Sequence, residues 1–179
     1  EATLRVIYTG EWSDPVKERN AALALVEAGV DVIGQAEVDT PAAQIAAQEN
    51  GIHSTGHHVD MSKVTPDSTL CSSVWVWHRF LIPTMNSIVA GNWSPGEWGA
   101  FIGIKDGGTD ITLSKNLVRT DVIEKVMAAR QDIVDGKQVF AGPIKDQDGK
   151  IVVVKGQTLS DGDLWGMGYL VEGVIGSVN

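Results

Sequence analysis

Apolar and polar positions shift between two periods along the first third of the chain. Leu4–Tyr8 is a short apolar, β-rich run that closes at Thr9-Gly10, and it predicts a buried strand. Beyond Glu11-Trp12-Ser13, either Ser13 or Asp14 can cap a helix whose first position is Pro15, where a missing N–H costs nothing. Ala21, Ala22, Leu25 and Val26 give that helix an apolar stripe, and Gly29 is placed as its left-handed stop. Val30–Ile33 predicts a second strand. Thr40-Pro41 opens a second helix that runs to about Asn50 and closes at Gly51, and Ile52–Thr55 predicts a third strand.

Strand, helix, strand, helix, strand predicts an α/β fold with parallel strands joined by right-handed crossovers. In such sheets ligands bind outside the carboxyl ends of the strands. Three loops fall there: Gly10–Asp14, Gln35–Thr40 and Gly56–Asp60. They carry Trp12, Gln35, Glu37, Asp39, His57, His58 and Asp60, so topology alone marks a candidate binding mouth.

The remainder is less regular. Leu70–Val76 predicts a fourth strand. Trp77–Ala90 has helical apolar spacing, with Pro83 expected to kink it or shift its start. Gly91–Gly99 is turn-rich, and Ala100–Ile104 predicts a further strand. Asp121–Asp135 predicts a helix, with Asp121 and Glu124 as a capping pair and Gly136 as its end. Val139–Ala141 and Ile151–Val154 flank Asp146–Gly149 as a predicted hairpin, and a short helix is expected around Asp161–Tyr169.

Composition narrows the function. The 179 residues suit one domain with its own core, or a large piece of something bigger. Fourteen basic against 23 acidic residues give a net charge of −9. Nucleic-acid binding draws on clustered Lys and Arg, so that class is excluded. No run approaches the roughly 20 apolar residues of a membrane-spanning helix. The single cysteine, Cys71, excludes an internal disulfide and, within an apolar strand, reads as a small buried hydrophobe. Glu1 follows neither a methionine nor a signal peptide, so a processed or truncated product is expected.

His53, His57, His58 and Asp60 are the densest group of potential metal ligands, but their spacing fits no established zinc pattern. Adjacent residues of an extended segment point to opposite faces, so one of His57 and His58 is expected in the cleft and the other in its wall or in solvent. Asp14, Glu37, Asp39 and Asp60 could do acid–base work, yet carboxylates near helix starts commonly cap. There is no Gly-x-Ser-x-Gly elbow and no phosphate-binding glycine fingerprint. No enzyme, metal or cofactor is therefore expected. Of six tryptophans, Trp93, Trp98 and Trp165 read as core, whereas Trp12 stands in a strand-to-helix loop at the mouth and suits stacking on a planar ligand.

Several stretches run in a fixed order over nearly the whole chain: Gly10-Glu11-Trp12-Ser13-Asp14-Pro15, Ala28 to Ile33, Ala46 to Gly51, Gly91-Asn92-Trp93, Phe140 to Asp146, and Gly168 to Gly176. In these the sequence resembles the basic membrane protein family of substrate-binding lipoproteins that serve ABC transporters, which includes purine-nucleoside receptors. The resemblance implies a periplasmic-binding-protein type I fold, two α/β lobes with ligand closed between them. It covers only the second part: residues 1–74 as a second-lobe α/β unit, 75–99 as a segment crossing to a missing first lobe, and 100–179 as the return. It implies an extracytoplasmic protein, lipid-anchored in its precursor, that hands a small-molecule solute to an ABC permease.

The family's ligand residues carry over unevenly. Trp12 matches the ring that stacks on the base. His58 stands where nucleoside receptors bond ribose through an aspartate, and Trp75 stands near their ribose-pairing lysine. The resemblance therefore points to a flatter ligand such as a free purine base. Two other readings compete: a ligand-sensing domain of a transcription regulator with the same fold, and a metal-dependent hydrolase built on His53, His57, His58 and Asp60.

Overall fold

The computed structural model describes residues 3–96, 101–175 and 177. They form two compact units, Glu1–Gln131 and Asp132–Asn179.

In the first unit, Asp14 caps helix α1 (Pro15–Glu27): its Oδ1 accepts the amides of Val16 and Lys17, each at 3.0 Å. Gly29, at φ +80°, ends the helix and turns the chain into strand β1 (Val32–Gly34). Helix α2 (Ala42–Glu49) and strand β2 (His53–Gly56) follow, with Gly51 as the left-handed corner between them. A short 3₁₀ turn, Met61–Lys63, leads to β3 (Thr69–Trp75). β1, β2 and β3 are parallel, as the alternating pattern requires. The core between α1, α2 and the sheet is built from small residues: Ala22, Ala43, Ala46, Ala47 and Ile33, flanked by Leu23, Val26, Val30 and Ile52. Small side chains let α2 lie close against the strands, which brings its polar Gln44 into the interior with them.

Beneath the β2–β3 turn lies a layer of buried hydroxyls. Ser54 Oγ is 2.9 Å from Ser68 Oγ, and Thr65 Oγ1 is 2.7 Å from Thr69 Oγ1. Ser72 Oγ accepts the Met61 amide at 3.1 Å. Each hydroxyl has a partner, which offsets the cost of taking it out of water.

Helix α3 (His78–Val89) is one continuous helix with Pro83 inside it. None of its residues is buried. The last strand of the sheet is β4 (Thr109–Leu113), antiparallel to β3, and helix α4 (Thr120–Val134) follows. Arg130 on α4 grips Asp110 on β4 through two bonds, Nε to Oδ1 at 2.7 Å and Nη2 to Oδ2 at 3.0 Å. The guanidinium and the Ile111 amide hold the Asp110 carboxyl below its ordinary range. A depressed carboxylate contributes stability above the unfolded value, about pH 4, and loses it as pH falls through the lowered folded value. The stability advantage of the wild type over Arg130→Met is therefore expected to hold from pH 7 to about pH 4 and shrink below it, as read from thermal midpoints across pH.

In the second unit, β5 (Ile144–Lys145) and β6 (Ile151–Val153) form an antiparallel hairpin. Asp146 fixes its turn by accepting the amides of Asp148 and Lys150. Helix α5 (Asp161–Trp165) starts with a capping box between Ser160 and Asp163.

Five expectations are corrected. Leu4–Tyr8 forms no strand, and its side chains are exposed, Leu4 at 87% and Tyr8 at 90%. An apolar run states a demand for burial, and the sheet of described strands, ordered β1-β2-β3-β4, does not meet it. Residues 101–104 are not a strand either: Gly103 and Ile104 accept the turn bonds of Asp106, Gly107 and Gly108, and the strand begins after that turn (Ala100 lies outside the described residues). The hairpin's first arm is Ile144–Lys145, because Val139–Ala141 contributes only a single bridge, from Ala141 to Thr158. Finally, Trp93 and Trp165 are exposed and not core, while Trp98 lies outside the described residues. The proposed capping partner Asp121 is bound by Arg119 instead, at 2.9 and 2.7 Å.

Candidate ligand-binding site

The loops after β1 and β2 leave the same end of a parallel sheet, and each contains one non-glycine residue with left-handed backbone. Glu37 and His58 both have φ +65°. In each case the next amide bonds back two residues: Val38 N to Ala36 O at 2.8 Å, and Val59 N to His57 O at 2.8 Å. These are γ-turns centred on Glu37 and His58, a form that is rare and strained. Such a conformation costs about 1–3 kcal/mol and persists only where the surroundings over-determine it.

The second γ-turn revises the expectation for the two histidines. At His58 the chain leaves the extended form, so the rings do not diverge. His57 and His58 lie 4.1 Å apart between centroids, and His58 lies 4.0 Å from Trp75, the last residue of β3. Trp77 meets Trp75 edge-on at 5.2 Å. The Trp75 amide donates to His58 O at 3.0 Å, which pins the turn to the end of β3. His57 Nδ1 is 3.2 Å from Ser73 Oγ. Partial burial and the neighbouring His58 ring hold the His57 imidazole below its usual value, against the pull of Glu37. A neutral imidazole can both donate and accept, which suits the mixed edge of a heterocycle.

The structure thus brings His57, His58 and Trp75 together, with Trp75 40% exposed, and Glu37 acts on His57 through its charge. Trp12 stands in its loop at 74% exposure and makes no ring contact among the described residues. Asp39 is exposed. Asp60 caps the 3₁₀ turn, accepting Ser62 N at 3.2 Å and Ser62 Oγ at 2.6 Å. Gln35 is buried, its Nε2 donating to Thr40 O at 2.7 Å.

His53 opens β2 and His57 follows its last residue, four positions and roughly 13 Å of strand apart. Among the described residues, no three His, Cys, Asp or Glu side chains come together to hold a metal. Burial raises the Cys71 thiol, which keeps it protonated and a poor nucleophile. A cavity of about 310 Å³ in the second unit is lined by Asp146, Gln147, Asp148 and the Gly168–Leu170 stretch, and holds none of the mouth residues.

Sequence reasoning missed two residues behind the mouth. Glu18 is 3% exposed and Gln44 is fully buried. The signal was available: each is a polar residue on the apolar face of its helix, Glu18 one turn before Ala22 and Gln44 between buried alanines.

Three parallel strands and an antiparallel fourth, with helices α1 and α2 packed together over a core of small residues, define an α/β unit with rings gathered at the carboxyl end of its parallel strands. The chain belongs to the family of PnrA-like ABC transporter substrate-binding proteins, whose pattern matches residues 1–141. A purine-binding protein of Brucella abortus is 33% identical over 174 residues, 96% of this chain and 48% of the relative. A Haloferax volcanii protein described as an ABC transporter glucose-binding protein is 35% identical over 144 residues, 79% of this chain and 36% of the relative. The chain therefore spans half or less of the curated relatives it matches. A transcriptional activator of the comK gene from Bacillus halodurans has TM-score 0.63 at 19% identity, over 73% of this chain and 46% of that one. An ABC solute-binding protein from Aeropyrum pernix has TM-score 0.59 at 20% identity, over 79% and 48%. At these identities the structural likeness shows a shared fold.

Proposed function

We propose that this chain is one lobe of an extracytoplasmic receptor, lipid-anchored in its precursor, that delivers a purine base to an ABC permease. The observation that carries this reading is the cluster of His57, His58 and Trp75, tilted rings gathered at the carboxyl end of the parallel strands. Closely grouped rings offer apolar surface to a planar ligand, and two imidazoles offer hydrogen bonds to the edge of a heterocycle. Trp12 supplies a second ring, and Glu37 and Asp39 add acceptors for exocyclic amines. A sugar-bearing ligand asks for in-plane hydrogen bonds around a ribose, and Trp75 fills that side with a ring. The purine-binding relative supports the same ligand class.

The other half of the cleft is proposed to lie in a first lobe. Support comes from α3, whose Leu81, Met85 and Ile88 fall at helical spacing on one face and are all exposed. Residues 75–99 are the crossing segment in this reading. Calorimetric titration of the two-lobed receptor with adenine, guanine, xanthine, their nucleosides and glucose tests it. Free bases are expected to bind at least about tenfold tighter than nucleosides or glucose. Uniformly tighter nucleoside binding, or tightest binding of glucose, overturns the ligand assignment.

A further inference from the structure

The two γ-turns need something to hold them, and one buried polar network reaches the roots of all three mouth loops. Glu18 sits at its centre. Its Oε1 accepts the Asp14 amide at 3.2 Å, two residues beyond Trp12. Its Oε2 accepts Thr40 Oγ1 at 2.6 Å and Gln35 Nε2 at 3.4 Å, the two ends of the loop that contains Glu37. Gln35 Oε1 accepts Gln44 Nε2 at 2.7 Å, and the same nitrogen donates to Thr55 O at 3.0 Å, just ahead of the loop that contains His58. No ion pair reaches Glu18 among the described residues.

A carboxylate is the one side chain that accepts all these donors without offering any of its own. Away from water, each donor aimed at it would be left unsatisfied if it moved, so the loops are bound to one another by what they would lose. Gln44 Oε1 is buried and has no partner, so the amide of Gln44 is oriented by Gln35 and Thr55 alone.

We propose that Glu18 is a positioning residue for the ligand site: through Thr40, Gln35 and Gln44 it locks the left-handed turns at Glu37 and His58 and the base of the Trp12 loop. The functional part of this inference rests on the solute-binding reading; the structural part does not. Glu18→Gln keeps the shape and removes one acceptor oxygen. Thr40→Val removes one donor at the loop's far end and serves as a second variant.

Backbone couplings and carbon shifts at Glu37 and His58 report left-handed φ directly in the ligand-free chain, and purine titration of the two-lobed receptor reports the site. Both variants are expected to lose the left-handed signature at Glu37 while the amides of β1 to β3 keep their shifts, and to weaken purine binding about tenfold. A Glu37 turn unchanged in both variants overturns the proposal. So does a relaxed turn with undiminished purine affinity. If the wild-type receptor binds no purine, the solute reading fails, and the turn signature still decides whether Glu18 holds the loops.

Discussion

Alanine at position 75 is expected to weaken ligand binding about tenfold to a hundredfold while leaving the sheet in place. Stacking of a base on an aromatic ring is worth about 1–3 kcal/mol, and Trp75 is the ring on which His58 rests at 4.0 Å. Its removal takes away the platform and frees the His58 imidazole on one side. The cost to folding is smaller, because the ring is 40% exposed and the β3 backbone pairs equally well with alanine there. Trp75→Phe keeps a flat face and is expected to recover most of the affinity. Calorimetry on the two-lobed receptor with a purine base, alongside thermal melts, separates the two effects. Unchanged affinity in Trp75→Ala removes this ring from the site.

Gly56→Ala is expected to have the largest effect on stability. A Cβ at Gly56 would lie 2.5 Å from Met61 Cγ, 2.5 Å from Ser72 Oγ and 2.8 Å from Met61 Cβ. Both neighbours are buried: Ser72 Oγ holds the Met61 amide and cannot withdraw without losing that bond, and the Met61 side chain is packed in the interior with little room to move. Overpacking and the lost hydrogen bond together suggest about 2–4 kcal/mol. Urea denaturation measures it, and a loss below about 0.5 kcal/mol would deny the close approach. Because Gly56 directly precedes His57, the strain is also expected to displace the ring cluster, so ligand affinity should fall with stability.

The α/β alternation was legible because each element in the first 56 residues carries its own punctuation. Asp14 and Pro15 start a helix, Gly29 and Gly51 stop one, and the Val-Ile of β1 is a short apolar run, while β2 is itself polar (His-Ser-Thr-Gly) and was marked by the Ile52 ahead of it. Where the sequence misled, the deciding partner was remote. Leu4–Tyr8 has the composition of a strand, but pairing depends on an available edge that the run itself does not specify. β4 alternates Ile111 and Leu113 with polar residues, yet its orientation is set by the edge of β3. The loops that hold Glu37 and His58 do leave one end of the sheet, as the parallel topology requires, whereas the Trp12 loop follows no strand. The inner geometry of the mouth was not legible. Nothing in a run of Gly-His-His-Val announces a γ-turn, and the network that holds that turn joins residues as far apart as Asp14 and Thr55. The residues that could have been found were Glu18 and Gln44, whose polarity conflicts with the apolar face on which they stand.

β1 is three residues long and ends in Gly34, and it forms one edge of the sheet of described strands. An open edge is a template for strand addition, and its length limits how well it can serve as one. Three residues offer too few ladder bonds to recruit a foreign strand durably, and glycine contributes no side chain to grip it. β4, five residues long, is the longer template at the other edge, while self-association that bypasses the strands would use side chains, through Leu4, Val6 and Tyr8 and the apolar row of α3, which are exposed. Assemblies of that kind dissolve in mild detergent and lack the fibre order of stacked strands.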